Sequence, residues 1–268
     1  MTLGHVLWIG GAPRSGKTSI ATRIARRHGL RLYSSDTRTW AHRDRALRKG
    51  REPAQRWEAL APAERWARTP TELLELSLHA ERGPMIVDDL RALPTSPIVV
   101  AEGTPLSPTV VTAGIADRSR SVWLVSTPTF QRERLDEDRL PQGPRELYLL
   151  LAEAIEREAR NEGVPILAVD ESRGLDETTA EVEALFADAL AAGPRVETLS
   201  ERRALLREAN DAIVAQIRAY YARPWADGDP ETVVREFACE CGDTACNATV
   251  ELPVGALSAG RALAPGHR

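Results

Sequence analysis

Residues 3–28, LGHVLWIGGAPRSGKTSIATRIARRH, decide the fold. A short apolar stretch at 6–9 leads into a glycine-rich turn closed by Gly16-Lys17-Thr18, and an arginine-rich helix follows. Consecutive apolar residues bounded by glycine read as a strand buried on both faces, in the middle of a parallel sheet. Gly11, Ala12, Pro13, Arg14, Ser15, Gly16, Lys17 and Thr18 have the spacing of a phosphate-binding loop, in the strand–loop–helix setting that pattern requires. Gly11 and Gly16 let the backbone turn its amides inward. With the first helical turn, through Ser19, these amides would form a concave donor surface for a β-phosphate. Lys17 would reach the β- and γ-oxygens and Thr18 would ligate magnesium.

Composition sharpens the expectation at Lys17. The chain has 35 lysines and arginines, and only Lys17 and Lys49 are lysines. A phosphate loop needs a compact ammonium on a flexible stem, which a planar guanidinium does not replace.

With 268 residues, 43% hydrophobic, and a net charge of −4, the chain can bury one large core and a smaller one. No apolar run reaches the roughly 18 residues of a membrane span, and MTLGHVLWIGG does not resemble a signal peptide, so a cytoplasmic protein without a membrane partner is expected. The arginines are balanced by 39 acidic residues and spread along helices, which argues against a nucleic-acid stripe.

Outward from the loop, helix 17–28 should end at His28-Gly29. A second strand is expected at 30–35, followed by Asp36 and an arginine-rich helix. Trp57 and Trp66 fall in short, proline-punctuated helices over 53–68. Thr69-Pro70-Thr71-Glu72 forms a capping box whose helix should end at Gly83-Pro84. Two apolar runs, 85–87 and 98–101, compete for the third strand. They are too close for both to be adjacent parallel strands, so the second is assigned as strand and the first as a helix begun by Pro84. Further strands are expected at 121–125 and 165–170, and helices after Thr127-Pro128, over 145–162 and over 176–192. The resulting class is α/β: a P-loop NTPase doubly wound parallel sheet with flanking helices, plus a small C-terminal helix and Cys-rich module. The expected divisions are a nucleotide-binding domain at 1–193, a connecting helix at 194–224 capped by Thr198 and Glu201, and a cysteine module at 225–268.

In such a sheet, ligands gather at the carboxyl ends of the strands, where Asp36, Glu102 and Asp170 fall. Phosphoryl transfer needs an anion near the acceptor hydroxyl, another near magnesium, and cations around the migrating group. Asp36 would accept or orient the acceptor's proton, or else cap the next helix. Glu102 would hold a magnesium-bound water or order Lys17, or else be an ordinary turn acid. Arg132, Arg134 and Arg139 lie on one segment that could fold over ATP as a lid. Arg38 is a candidate to grip an anionic acceptor, and Trp40, Trp57 and Trp66 either line an acceptor pocket or pack between helices.

GGAPRSGKTSIATRIARRHGLRLYSSDTR, followed by VVAEGTPLSP and WLVSTPTFQRERLDEDR, resembles the small P-loop kinases of the 2-phosphoglycerate kinase and zeta-toxin-like branch. The resemblance covers roughly residues 3–190. It implies phosphate and magnesium binding by Lys17 and Thr18, Asp36 as base, and Arg132, Arg134 and Arg139 as lid cations. The expected activity is ATP- and magnesium-dependent phosphorylation of a small-molecule hydroxyl. A nucleotide-gated regulatory ATPase and a kinase of sugar nucleotides are the alternatives.

The tail, VREFACECGDTACNATVEL ending in LAPGH, resembles a short cysteine module of actinobacterial proteins. Cys239, Cys241, Cys246 and His267 could give zinc three thiolates and an imidazole, with Asp243 as a substitute ligand and reduced structural thiols as the plainer alternative. A tail of about 40 residues is too short to build its own core, so a metal staple would explain its order. It could also engage a protein partner.

Overall fold

A computed structural model describes residues 2–268 of the chain. The elements run β1 (Val6–Gly11), α1 (Lys17–His28), β2 (Arg31–Ser34), α2 (Thr39–Arg48), α3 (Glu52–Ala59), α4 (Pro62–Arg65), α5 (Pro70–Leu76), α6 (His79–Ala92), β3 (Val99–Glu102) and α7 (Thr109–Thr112). They continue through β4 (Ser121–Ser126), α8 (Pro128–Glu137), α9 (Gln142–Asn161), β5 (Ile166–Val169), α10 (Leu175–Leu185), α11 (Ala187–Ala192), α12 (Leu199–Tyr221), β6 (Val234–Ala238), β7 (Thr249–Pro253) and α13 (Val254–Ala259).

The first five strands form one parallel sheet in the order β2-β3-β1-β4-β5. The strand at 98–101 competing with 85–87 is therefore β3, and residues 85–87 lie in α6. Helices cover both faces, so alternate residues of β1 enter different cores. Val6 and Trp8 pack with Val99, Trp123 and Leu151 on one face. Leu7 and Ile9 pack with Ile20, Ile24 and Leu124 on the other. This two-sided burial explains why β1 is apolar without alternation. The chain steps from β1 toward β2 on one side and later toward β4 on the other, so the sheet's reversal point lies at the carboxyl end of β1.

Three expectations need correction. The capping box at Thr69 forms, but its helix stops at Leu76, and α6 runs through Gly83 and Pro84 rather than ending or starting there. Leu78, with a left-handed φ of 59°, separates the two helices. Beyond it, burial of Met85, Ile86, Val87 and Leu90 outweighs the backbone bond that Pro84 cannot donate. The helix at 176–192 is two helices meeting at Phe186. The tail, finally, contributes to a core: β6 and β7 form an antiparallel hairpin, and Phe237, Val254, Leu257 and Ala262 pack against Val214 of α12. The tail achieves this by borrowing the face of a long helix, whose Thr198–Glu201 box forms as expected. Among the described residues, no helix is long and apolar enough to cross a membrane.

Candidate functional site

The loop between β1 and α1 sits at the sheet's reversal point. Gly11 has φ 135° and lies against the backbone of Leu124, with which it is paired in register, so a side chain there would strike β4. Gly16, at φ 85°, precedes Lys17 in a left-handed conformation that glycine adopts without strain. The Lys17 ammonium is buried and donates to the Ala12 carbonyl at 2.6 Å. Burial pulls its pKa down, while Glu102 and Asp36 oppose that shift. Gln131 of α8 donates to the Pro13 carbonyl at 2.8 Å, fixing the loop's outer side, and the Ser15 hydroxyl is buried without a partner.

Register explains where Glu102 lies. It closes β3, paired with Ile9 of β1 on one side and Ser34 of β2 on the other, and is fully buried. Its carboxyl accepts from Thr18 Oγ1 at 3.2 Å and from the Ser34 hydroxyl. Burial and the charge of Asp36 push Glu102 up to about 7, although Lys17 and the two hydroxyls favour its ionised form. Asp36, in a short 3-10 turn after β2, is exposed and does not cap α2: Arg38 holds the N-cap position, and no side chain caps that helix.

A cavity of about 790 Å³ opens over the loop. Gly16, Lys17 and Thr18 line one end, Asp36 lies along its wall, and Arg43, Trp57, Trp66 and Arg82 line a region built by the helices inserted between β2 and β3. The tryptophans pack between helices and also line this cavity. Trp57 and Trp66 meet edge-to-face at 5.3 Å, and Trp40 packs at 5.5 Å from Tyr220 and 5.7 Å from Trp225, yet all three indoles also face the cavity. Among the lid candidates, only Arg134 reaches the cavity, with its guanidinium 4.9 Å from the Phe130 ring centroid. Arg132 and Arg139 are exposed and do not line it. Arg38 also lies outside, over the ring of Tyr33 at 5.9 Å. Asp170 accepts from Ser172 in its own turn. Arg14 lines the cavity while pairing with Asp138 at 2.8 Å. Arg43, Arg82 and Arg173 of the lining did not stand out from sequence, since arginine is too abundant in this chain for a single one to do so.

The second cluster lies at the other end of α1. The ligand-capable atoms of Cys239, Cys241, Cys246 and His267 all lie within 4.8 Å of one another. Thiolates around tetrahedral zinc stand about 3.8 Å apart, so the group is close to the dimensions of such a centre and could hold a metal such as zinc. The donor set also suits the ion chemically. The backbone N–H of Ala264 approaches Cys239 Sγ at 3.3 Å, and His267 Nδ1 faces Cys239 Sγ at 3.3 Å and Cys246 Sγ at 3.7 Å. Burial opposes ionisation of Cys241, yet hydrogen bonds from the Asp243 backbone, His267 and the other two thiols hold it down to about 7. Burial pushes Cys246 up to about 11. All three cysteines are free thiols, and Asp243 accepts from the Ala245 N–H at 2.9 Å.

Side chains from the rest of the fold clamp this cysteine loop. Arg202 and Arg203 donate to the Gly242 and Cys241 carbonyls at 2.9 and 3.1 Å. Asn210 exchanges hydrogen bonds with Ala238 at 2.9 Å in both directions, and Arg207 pairs with buried Glu240 at 2.8 Å. From α1, Arg26 reaches the Cys239 carbonyl. Between α1, β2, α12 and the hairpin lies a second cavity of about 460 Å³, which shares Thr18, Ser19, Asp36 and Leu175 with the larger one.

Comparison with protein-family models and with curated proteins finds no match for this chain.

Proposed function

We propose that this protein is a magnesium- and ATP-dependent phosphotransferase acting on a hydroxyl of a small molecule, a P-loop kinase of the kind its sequence resembles. One observation carries this reading. A single cavity runs from the glycine-rich loop past Asp36 into a chamber walled by tryptophans, leaving room beside a nucleotide for an acceptor. A protein that only hydrolysed ATP would have no use for that chamber.

In this reading Lys17 and the loop amides hold the β- and γ-phosphates, and the Thr18 hydroxyl would hold magnesium, which would offset charge on those phosphates. Glu102, hydrogen-bonded to Thr18, sets that hydroxyl's direction. The acceptor oxygen forms its bond to the γ-phosphorus as the bond to ADP breaks, and its proton passes to Asp36. Arg134, paired at rest with Glu137 at 3.0 Å, would have to exchange that partner to neutralise charge on the migrating group. A zinc ion in the Cys239, Cys241, Cys246 and His267 group would staple the hairpin to α12.

The test is release of ADP from Mg-ATP across a panel of hydroxylated metabolites and nucleosides. Stoichiometric ADP formation that requires one acceptor supports a kinase. Slow release indifferent to every acceptor would instead favour a nucleotide-gated regulator, for which the contact between α1 and the cysteine loop speaks. No saturable association with Mg-ATP or Mg-GTP would remove both.

A further inference from the structure

We propose that Arg43 and Arg82 form an anion-binding subsite in the chamber beyond Asp36, taking a carboxylate or phosphate group carried on a flat, apolar body. The inference rests on the phosphotransferase reading for its consequence, that the acceptor is anionic, but the subsite itself stands on charge and geometry.

Six cationic side chains line the larger cavity, Arg14, Lys17, Arg43, Arg82, Arg134 and Arg173, against one carboxylate, Asp36. Three of the six are paired: Arg14 with Asp138 at 2.8 Å, Arg134 with Glu137 at 3.0 Å and Arg173 with Glu181 at 2.7 Å. Lys17 belongs to the phosphate loop. Arg43 and Arg82 remain, only 4% and 7% exposed, and among the described residues neither has a carboxylate within ion-pair distance. Arg82 donates to the Ser35 carbonyl at 2.5 Å and approaches His42 Nδ1 at 3.4 Å. Arg43 donates to the Leu76 carbonyl at 2.8 Å, and its Nε and Nη1 have no partner.

Buried charge without a counter-charge is costly, and a guanidinium with free N–H groups is suited to bidentate capture of a carboxylate or phosphate. Around Arg43 the surroundings do not supply the missing charge, whereas Asp36 and Glu102 act on Arg82 from beyond ion-pair distance. Burial pushes Arg43 down to about 10; Glu58 opposes this, and Arg223, Arg82 and Arg65 add to it. Glu58 is already engaged by Arg223 at 3.4 Å and by the Trp225 indole at 2.6 Å. His79, another wall of the cavity, is held neutral, with burial pushing it down to about 4.

The body of the ligand follows from the walls. The Arg43 guanidinium lies 4.7 Å from the Trp57 ring centroid and 5.7 Å from that of Trp40, and exposed Trp66 meets Trp57 edge-on, so the anion site is bordered by indole rings, of which Trp66 is the one open to a planar body.

The test is calorimetric titration of the full chain, with and without saturating Mg-ADP, using 4-hydroxybenzoate, phenyl phosphate and neutral benzyl alcohol. Saturable binding of at least one anion, with none of the alcohol, is expected, and the preferred anion separates carboxylate from phosphate. Arg43→Gln should weaken that binding about tenfold or more while leaving Mg-ADP affinity unaltered. Binding of neither anion, equal binding of the alcohol, or an undiminished affinity in Arg43→Gln overturns the subsite. Should Arg43→Gln fail to fold, the unaltered protein decides: the anion's affinity must fall as chloride rises and as inorganic phosphate competes, and an affinity indifferent to both overturns the proposal. The two readings fail separately. Anion binding without any Mg-ATP association leaves the subsite and removes the kinase, whereas acceptor-dependent ADP release with a neutral acceptor and no anion binding does the reverse.

Discussion

The guanidinium of Arg26 donates to the carbonyl oxygen of Cys239 at 2.5 Å, joining the helix behind the glycine-rich loop to the cysteine loop across 213 positions of sequence. Arg26 is buried, and its second nitrogen approaches Cys241 Sγ at 3.9 Å. Replacing it with alanine leaves a buried carbonyl unsatisfied and removes a charged donor. Arg26→Ala is therefore expected to lower unfolding stability by about 1.5–3 kcal/mol in urea titration. It should also make the segment beyond Gly193 more sensitive to limited proteolysis. An unchanged digestion pattern would count against the contact.

Removing metal should loosen the tail. Three thiols and an imidazole must lose protons to bind zinc, so affinity falls as pH falls. Chelation, or Cys241→Ser, is expected to lower the melting temperature and expose the hairpin to hydrogen exchange while the parallel sheet keeps its protection. Less than about half an equivalent of zinc in protein purified without a histidine tag would count against a metal centre.

On the proposed reading, substitution of Asp36 should separate chemistry from binding. Asp36→Asn is expected to abolish acceptor-dependent ADP release with Mg-ATP affinity preserved, whereas Lys17→Ala should lose the nucleotide itself. Retained turnover in Asp36→Asn, followed by coupled ADP assay, would refute its role as base.

Glu102 gives a pH signature. Its folded pKa is raised from 4.5 to about 7, so between those values the folded protein binds more protons than the unfolded chain. The resulting stabilisation is complete below pH 4.5 and is lost as pH rises through about 7. Glu102→Gln removes this dependence. Without magnesium, at pH 8, the variant should be more stable than the parent by on the order of 1–3 kcal/mol, measured as the difference in denaturant midpoints. Identical pH–stability curves for the two proteins would show that the carboxyl loses its proton at the same pH in the folded and unfolded chain, contrary to the raised value.

Much of this architecture was legible in local chemistry. The loop spacing, the Gly29 cap after three basic residues, and the boxes at Thr69 and Thr198 each depend on neighbours within a few positions. The reach of a crossover excluded both 85–87 and 98–101 as adjacent strands, and the amphipathic pattern after Pro84 decided for the second; the sheet and α6 bear this out. What escaped depended on distant partners. Gly83-Pro84 reads as a stop because proline restricts the residue before it, but the apolar core beneath α6 holds the helix together through that pair. The hairpin strands are short and largely exposed, with Phe237 their one buried anchor, so their periodicity is faint. Arg43 and Arg82 lie 39 positions apart, and only the folding of α2 and α6 brings them to one wall.

Thr18 and Asp36 front two chambers at once, one beside the glycine-rich loop and the tryptophans, the other between α1, α12 and the hairpin. A compound designed for the smaller chamber could touch both residues from behind without displacing whatever occupies the larger. Its binding would depend on Gly242, Asn247 and Thr249, residues that line the smaller chamber and not the larger.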